Sequence, residues 1–151
     1  MTALVRRFLK TAIGFLIVGL LLGGWMVARR ELVGVYPSPY IVSAHTHAIL
    51  VGFVMLMIQG VALWMFPRPE KTDVRYDPRV AARAYWLVTA GTAGRVAGEL
   101  LRATTGTALL RWTIVIAAFL QIAGIGLFFY TMWSRIRPVG SQVREARGEQ
   151  F

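Results

Sequence analysis

The chain has 151 residues, of which 56% are hydrophobic, an excess over the about 45–50% of a soluble domain. It carries 17 Lys and Arg against 7 Asp and Glu, a net charge of +10, and no cysteine. This composition excludes disorder, a disulfide scaffold, cysteine-ligated zinc or iron–sulfur sites, thiol enzymes and covalently attached c-type heme.

Four long apolar segments predict four membrane-spanning helices. In chain order they cover residues 8–28, 39–66, 80–103 and 108–133. Each reaches the roughly 20 residues that a helix needs to cross a bilayer. The third segment is the most polar, because it contains Arg83, Arg95, Glu99 and Arg102.

The ends of the first two helices have interpretable signals. Arg6, Arg7 and Lys10 precede the first apolar stretch as in a signal peptide, but the stretch is long and lacks a clear cleavage site, which predicts an uncleaved helix. For the second helix, the sequence predicts that Ser38 caps its start and Pro39 takes the first helical position. Its predicted end is marked by Pro67 and Pro69.

The basic residues lie between the apolar runs, so their distribution indicates membrane orientation rather than nucleic-acid binding. The N-terminal tail, the loop after the second helix and the C-terminal tail hold 12 of the 17, and the other side holds 5. The positive-inside rule then predicts that both termini are cytoplasmic. The predicted fold is an all-α, antiparallel four-helix membrane bundle, a single domain over residues 1–151, multi-pass in a bacterial inner membrane.

The two histidines lie in the second predicted helix and point in different directions. At 100° per residue, His45 and His47 are about 200° apart, so they do not chelate one ion together. His45 shares a stripe with Gly52 and Gln59 at spacings of seven, which indicates an inward face that something flat approaches closely. The face of His47 is apolar and indicates packing or lipid contact.

Three charged residues of the third helix share one face. Arg95, Glu99 and Arg102 have helical spacing and lie about 5, 10 and 15 Å above the helix middle, and His45 lies about 12 Å above the middle of its own helix. Guanidinium groups bind carboxylates in a bidentate manner. A histidine with arginines at one level therefore suits a b-type heme with two propionates. The alternative is a self-satisfied ion network of Arg95, Glu99 and Arg102.

The segment from Ala44 to Pro67 resembles the second transmembrane helix of the heme–copper oxidase catalytic subunit. It is also similar to short cytochrome-oxidase-subunit-I-like proteins and to the nitric oxide reductase large subunit. The residues that carry the resemblance are Ala44, His45, His47, Gly52, Phe53, Gly60 and Pro67.

The resemblance implies that His45 is an axial iron ligand of a heme b near the outer face. Beside His45, the sequence predicts cofactor contacts for His47 and Gly52, and the shared level of the charged residues predicts propionate contacts for Arg95 and Arg102 with Glu99 orienting them. The chain has no further histidine for a copper site or a second heme. No catalytic residue is therefore predicted, and the chain is not expected to be an oxidase on its own.

The second axial ligand stays open between three solutions. The iron is five-coordinate, or it takes Met26 at a similar depth, or it takes a histidine from a second chain of a homo-oligomer. The expected role is electron transfer or binding of NO or O₂, with an electron donor or a respiratory complex as partner. The competing hypotheses are a heme-free accessory or assembly subunit and a small transporter.

Overall fold

The fold consists of four long helices. The computed structural model describes residues 1–67, 73, 77–137, 140, 143–144 and 147–148. The helices are α1 (Ala3–Val33), α2 (Pro39–Met65), α3 (Pro78–Thr105) and α4 (Leu110–Met132), and α4 continues into a 3₁₀ turn, Trp133–Arg135. Every regular element in these ranges is helical, which confirms the all-α prediction.

The helix ends follow local signals that the sequence contains. Helix α1 is longer than predicted, because the Thr2 hydroxyl accepts a hydrogen bond from the Val5 amide at 3.3 Å and the helix ends only at Gly34, where φ is +69°. Helix α2 begins at Pro39 as predicted. The predicted cap by Ser38 is wrong, because its hydroxyl makes no capping hydrogen bond. The fixed φ of Pro39 suits the first helical position without that bond.

Three of the helices are long and apolar enough to span a membrane: α1, α2 and the continuous segment Leu110–Arg135. Helix α3 does not reach this hydropathy, so its passage across the bilayer stays a prediction. It is long enough for it, since 28 residues extend about 42 Å. The loop residues Arg68, Pro69, Lys71 and Arg75, which entered the sequence predictions, lie outside the described residues.

The middle of α2 is a π-helix over Ala48–Met55, immediately after the histidines. A π-helical turn takes more residues than an α-helical turn, and π segments occur frequently at functional sites. Contacts with α1 therefore do not recur strictly every seven residues along α2. Gly52 packs on the Phe15 side chain of α1, and the next glycine of α2 that contacts α1 is Gly60, eight residues later. A Cβ at Gly60 would lie 2.9 Å from the Phe8 Cβ.

Helices α1 and α2 pack in an antiparallel manner. On α1 and α2, Gly23 meets His45 and Phe8 meets Gly60. All four helices contribute to one buried core: Phe8, Ala12, Leu56, Ala84, Tyr85, Val88, Phe128 and Met132. The Tyr85 hydroxyl lies 2.7 Å from that of Thr11, so α1 and α3 are also joined by a hydrogen bond.

Helices α3 and α4 form the most extensive contact in the fold, and Gly91 lies at a close approach of their backbones. A Cβ at Gly91 would lie 2.8 Å from the Ala117 carbonyl oxygen and 2.9 Å from the Gln121 nitrogen, both on the backbone of α4. We expect Gly91→Ala to force the helices apart and lower the free energy of unfolding by about 1–3 kcal/mol. Thermal unfolding in detergent measures this change.

The matched control is Gly94→Ala on the same helix. Its Cβ would lie at an ordinary 3.6 Å from the Ala117 Cβ, and alanine has a higher helix propensity than glycine. This variant should unfold at or slightly above the wild-type temperature. Equal destabilisation by both substitutions would contradict the close α3–α4 approach.

Candidate functional site

His45 lies in the N-terminal half of α2 with its imidazole turned toward α1. Its Nδ1 is 2.9 Å from the Gly19 carbonyl oxygen. A carbonyl only accepts hydrogen bonds, so Nδ1 carries the proton and donates it. The other ring nitrogen, Nε2, then has a lone pair. Metal-ligating histidines have this arrangement, since the second nitrogen usually donates to a carbonyl or carboxylate that fixes the ring.

Gly23 of α1 provides the space in which this imidazole lies. A Cβ at Gly23 would be 2.9 Å from His45 Cε1 and 3.4 Å from Nδ1. The adjacent Gly24 has nothing within 4 Å of such an atom. The need for glycine is therefore specific to Gly23, which acts as a cradle for the ring.

A cavity of about 350 Å³ opens beside His45, between the C-terminal end of α1 and the N-terminal end of α2. This volume is at the lower end of the range for small-molecule sites. The lining residues are Gly23, Met26, Val27, Arg30, Tyr36, Pro37, Val42 and His45. The structure thus brings together His45 and Met26, the two residues that the sequence predicts as iron ligands.

His47 belongs to a separate hydrogen-bonded cluster, between α2 and α3. Its Nδ1 is 2.8 Å from the Ser43 carbonyl oxygen and 3.3 Å from the Ser43 hydroxyl. That hydroxyl donates to Glu99 Oε1 at 2.7 Å, and Arg95 Nε donates to the same oxygen at 3.1 Å. Glu99 is only 2% exposed. The cluster contains the Arg95–Glu99 ion pair of the alternative interpretation, joined to α2 through Ser43.

Arg102 makes a separate contact with α2, nearer the C-terminal end of α3. Its guanidinium carbon lies 4.9 Å from the ring centroid of Tyr40, within cation–π range. Among the described contacts, none joins His45 to Arg95, Glu99 or Arg102. The expected convergence of the histidine and the arginines is therefore not found.

His45 does not meet the arginines of α3 because of the spacing of Ser43 and His45 on α2. Residues two apart on an α-helix point about 200° apart. Because Ser43 binds Glu99 of α3, His45 is turned to the opposite side, where α1 lies. Gly52 is likewise in contact with the Phe15 side chain rather than with an open surface.

The sequence analysis did not place Gly23 or Arg30 at the site, although both line the cavity. A signal was present, because Gly23, Met26 and Arg30 follow the i, i+3, i+7 spacing of one helix face. The sequence did not show that His45 meets this face of α1.

The cavity does not offer a bare metal ion a full set of ligands. Within the described ranges, no group of three or more His, Asp or Glu side chains is placed to hold a metal ion. His45 is a single nitrogen ligand, and Met26 adds one sulfur. Such a donor set suits a porphyrin iron, whose four equatorial ligands come from the macrocycle.

Comparison with known families gives one match. The family model described as "Cytochrome C and Quinol oxidase polypeptide I" matches residues 3–146, nearly the whole chain. No curated protein and no solved structure matches the sequence.

Proposed function

The chain belongs to the cytochrome c and quinol oxidase polypeptide I family, and we propose that it binds one b-type heme through His45 near the outer membrane face. The observation that carries the proposal is the His45 Nδ1 hydrogen bond to the Gly19 carbonyl oxygen at 2.9 Å. It leaves Nε2 as the ligand atom. A bound heme would supply one-electron redox chemistry and, with an open coordination position, diatomic-gas binding.

Each residue around His45 would have a defined task. The Gly19 carbonyl oxygen holds the ring tautomer and orientation, and Gly23 gives the ring space against α1. Met26 lies in the same cavity and is the candidate second ligand within the chain. His–Met ligation would favour electron transfer, and an empty second position would favour binding of NO or O₂.

The predicted propionate contacts of Arg95 and Arg102 need a rearrangement. Arg95 would have to leave Glu99, and Arg102 would have to leave the ring of Tyr40. Breaking the first contact is costly, because it leaves the buried Glu99 carboxylate without its cation. The Arg95–Glu99 pair and His47 are better suited to fixing the α2–α3 contact.

The proposed setting is a bacterial inner membrane crossed by an antiparallel four-helix bundle with both termini in the cytoplasm. Three apolar helices and the opposite chain directions of the contacting helices support this arrangement. In this orientation the cavity beside His45 faces the outer side. A homo-oligomer and a respiratory electron donor are the proposed partners.

An absorption spectrum of the detergent-purified protein tests the heme, combined with a pyridine hemochrome assay. We expect a b-type spectrum with one heme per chain, and a half-heme stoichiometry would indicate a site shared between two chains. A shift of the reduced spectrum with CO or NO indicates gas binding, and an unresponsive six-coordinate spectrum indicates electron transfer. Absence of a Soret band after heme supplementation would overturn the proposal and favour a heme-free accessory subunit.

A further inference from the structure

We infer that Arg30 and Tyr36 form a carboxylate-binding end of the outer cavity and hold the propionates of the ligand. This inference rests on the proposed heme function. It assigns the anionic groups of the ligand to the α1 side of the protein, away from the arginines of α3.

The first support is the position of the two side chains. Arg30 and Tyr36 line the same cavity as His45, one near the C-terminal end of α1 and the other in the segment that leads to α2. Arg30 follows Gly23 by seven residues, so it stands about two turns above the cradle on the same face. The cavity thus has an imidazole at one level and a guanidinium and a phenol farther out.

The second support is the chemistry of the cavity wall. Val27, Pro37 and Val42 provide apolar contacts beside His45, while Arg30 and Tyr36 provide hydrogen-bond donors. This distribution fits an amphipathic ligand with acid groups at one edge. A heme has this character, because its two propionates leave the same side of the macrocycle.

The third support is a comparison of the ion pairs that Arg30 and Arg95 already make, since both arginines are candidates for binding the propionates. Arg95 is bound to a Glu99 carboxylate that is 2% exposed. Arg30 is bound by its Nε to Glu31 Oε1 at 2.6 Å, but these side chains are 50% and 59% exposed. Exposed ion pairs contribute little and exchange partners easily. Arg30 can therefore be redirected to a ligand carboxylate at lower cost than Arg95.

The test compares two ligands that differ only in the acid groups. Iron protoporphyrin IX and its dimethyl ester are titrated into the full-length protein in detergent, and affinity is measured by absorbance. We expect the wild type to bind the acid about tenfold more tightly, as for a charge-assisted hydrogen bond. In Arg30→Gln this preference should fall to near unity, and Tyr36→Phe should reduce it by a smaller factor.

Two arginine variants serve as controls. Arg29→Gln removes the charge of the neighbouring residue. The guanidinium carbon of Arg29 lies 5.6 Å from the ring centroid of Trp25, and Arg29 is not among the residues that line the cavity. Arg95→Gln removes the arginine that the sequence predicted. Both should retain the wild-type preference for the acid, with circular dichroism confirming that each variant is folded.

The outcomes separate the inference from the proposed function. Loss of the preference in Arg95→Gln, with Arg30→Gln unchanged, would overturn the inference and leave the heme in place. A wild type that binds acid and ester equally would do the same. Failure of the wild type to bind either porphyrin would overturn both.

Discussion

We expect that replacing His45 with alanine will abolish heme retention, whereas replacing His47 with alanine will leave a b-type spectrum. His45 has its Nδ1 bound to the Gly19 carbonyl oxygen and its ring beside the cavity between α1 and α2, so its Nε2 is the proposed ligand atom. His47 is bonded to Ser43 on the other side of α2. Removal of partners behind a metal ligand already weakens binding about 10–100-fold, so loss of the ligand itself should exceed this range.

Heme content per chain after purification, measured by pyridine hemochrome, decides between the two histidines. A His45→Ala variant with a normal heme spectrum would contradict the assignment, as would equal loss in His47→Ala. His45→Ala removes one hydrogen bond to a backbone carbonyl and no ion pair, so it should fold. Circular dichroism establishes this independently of heme.

A pair of glycine variants examines the same contact from α1. Gly23→Ala would place a Cβ 2.9 Å from His45 Cε1, so the ring must shift, and the heme spectrum or its affinity should change. Gly24→Ala meets nothing within 4 Å and should be silent. If neither glycine variant changes the heme spectrum or the heme affinity, the ring of His45 is not held against Gly23.

The helices themselves could be predicted from the sequence because their signals are local. A long apolar run and Pro39 at a helix start each act within a few residues, whereas the end of α1 at Gly34 was missed because the apolar run ends earlier. The π segment was not predicted, because Ala48–Met55 is apolar throughout and its composition suits an α-helix equally well. The stripe predicted as an inward face still holds at Gly52, which meets Phe15 of α1, and at Gln59, which is 0% exposed.

The candidate site could be predicted only in part, because the sequence does not show how each helix is rotated about its own axis. Residue counting predicts a similar depth for Met26 and His45, and both line one cavity. Which neighbour a helix face meets depends on contacts distant in sequence. Ser43 lies on the face of α2 that meets α3, where it binds Glu99, and His45 lies on the opposite face, which meets α1. Arg95 and Arg102 therefore lie on the α3 side of α2, away from His45.

Arg135, just after α4, is a second residue whose contacts could not be predicted from the sequence. The sequence interpretation counted it as one of the basic residues of the cytoplasmic tail, yet it is only 4% exposed. Its guanidinium donates to the carbonyl oxygens of Leu63, Phe66 and Pro67, at 2.8–3.1 Å. In a regular helix the Leu63 carbonyl would accept from residue 67, but proline has no N–H. Arg135 supplies the missing donor and joins the end of α2 to the end of α4.

Replacing Arg135 with methionine should therefore destabilise the protein more than any removal of an exposed arginine. Methionine keeps much of the apolar stem but leaves the three carbonyl groups without this donor, and each such loss costs about 1–3 kcal/mol. We expect a decrease in the free energy of unfolding of about 3 kcal/mol or more, measured by thermal or denaturant unfolding in detergent. Arg135→Lys should recover only part, because an ammonium group does not match the planar fork.

The matched control for Arg135 is Arg111→Met. Arg111 is exposed and its guanidinium carbon lies 5.6 Å from the Trp112 ring centroid, a contact worth about 0.5–1 kcal/mol at such a site. Its loss should shift unfolding only slightly. If Arg135→Met and Arg111→Met unfold alike, the guanidinium does not stabilise the end of α2. A large difference, partly recovered by lysine, would show that an arginine assigned by sequence to the surface joins two helices of this fold.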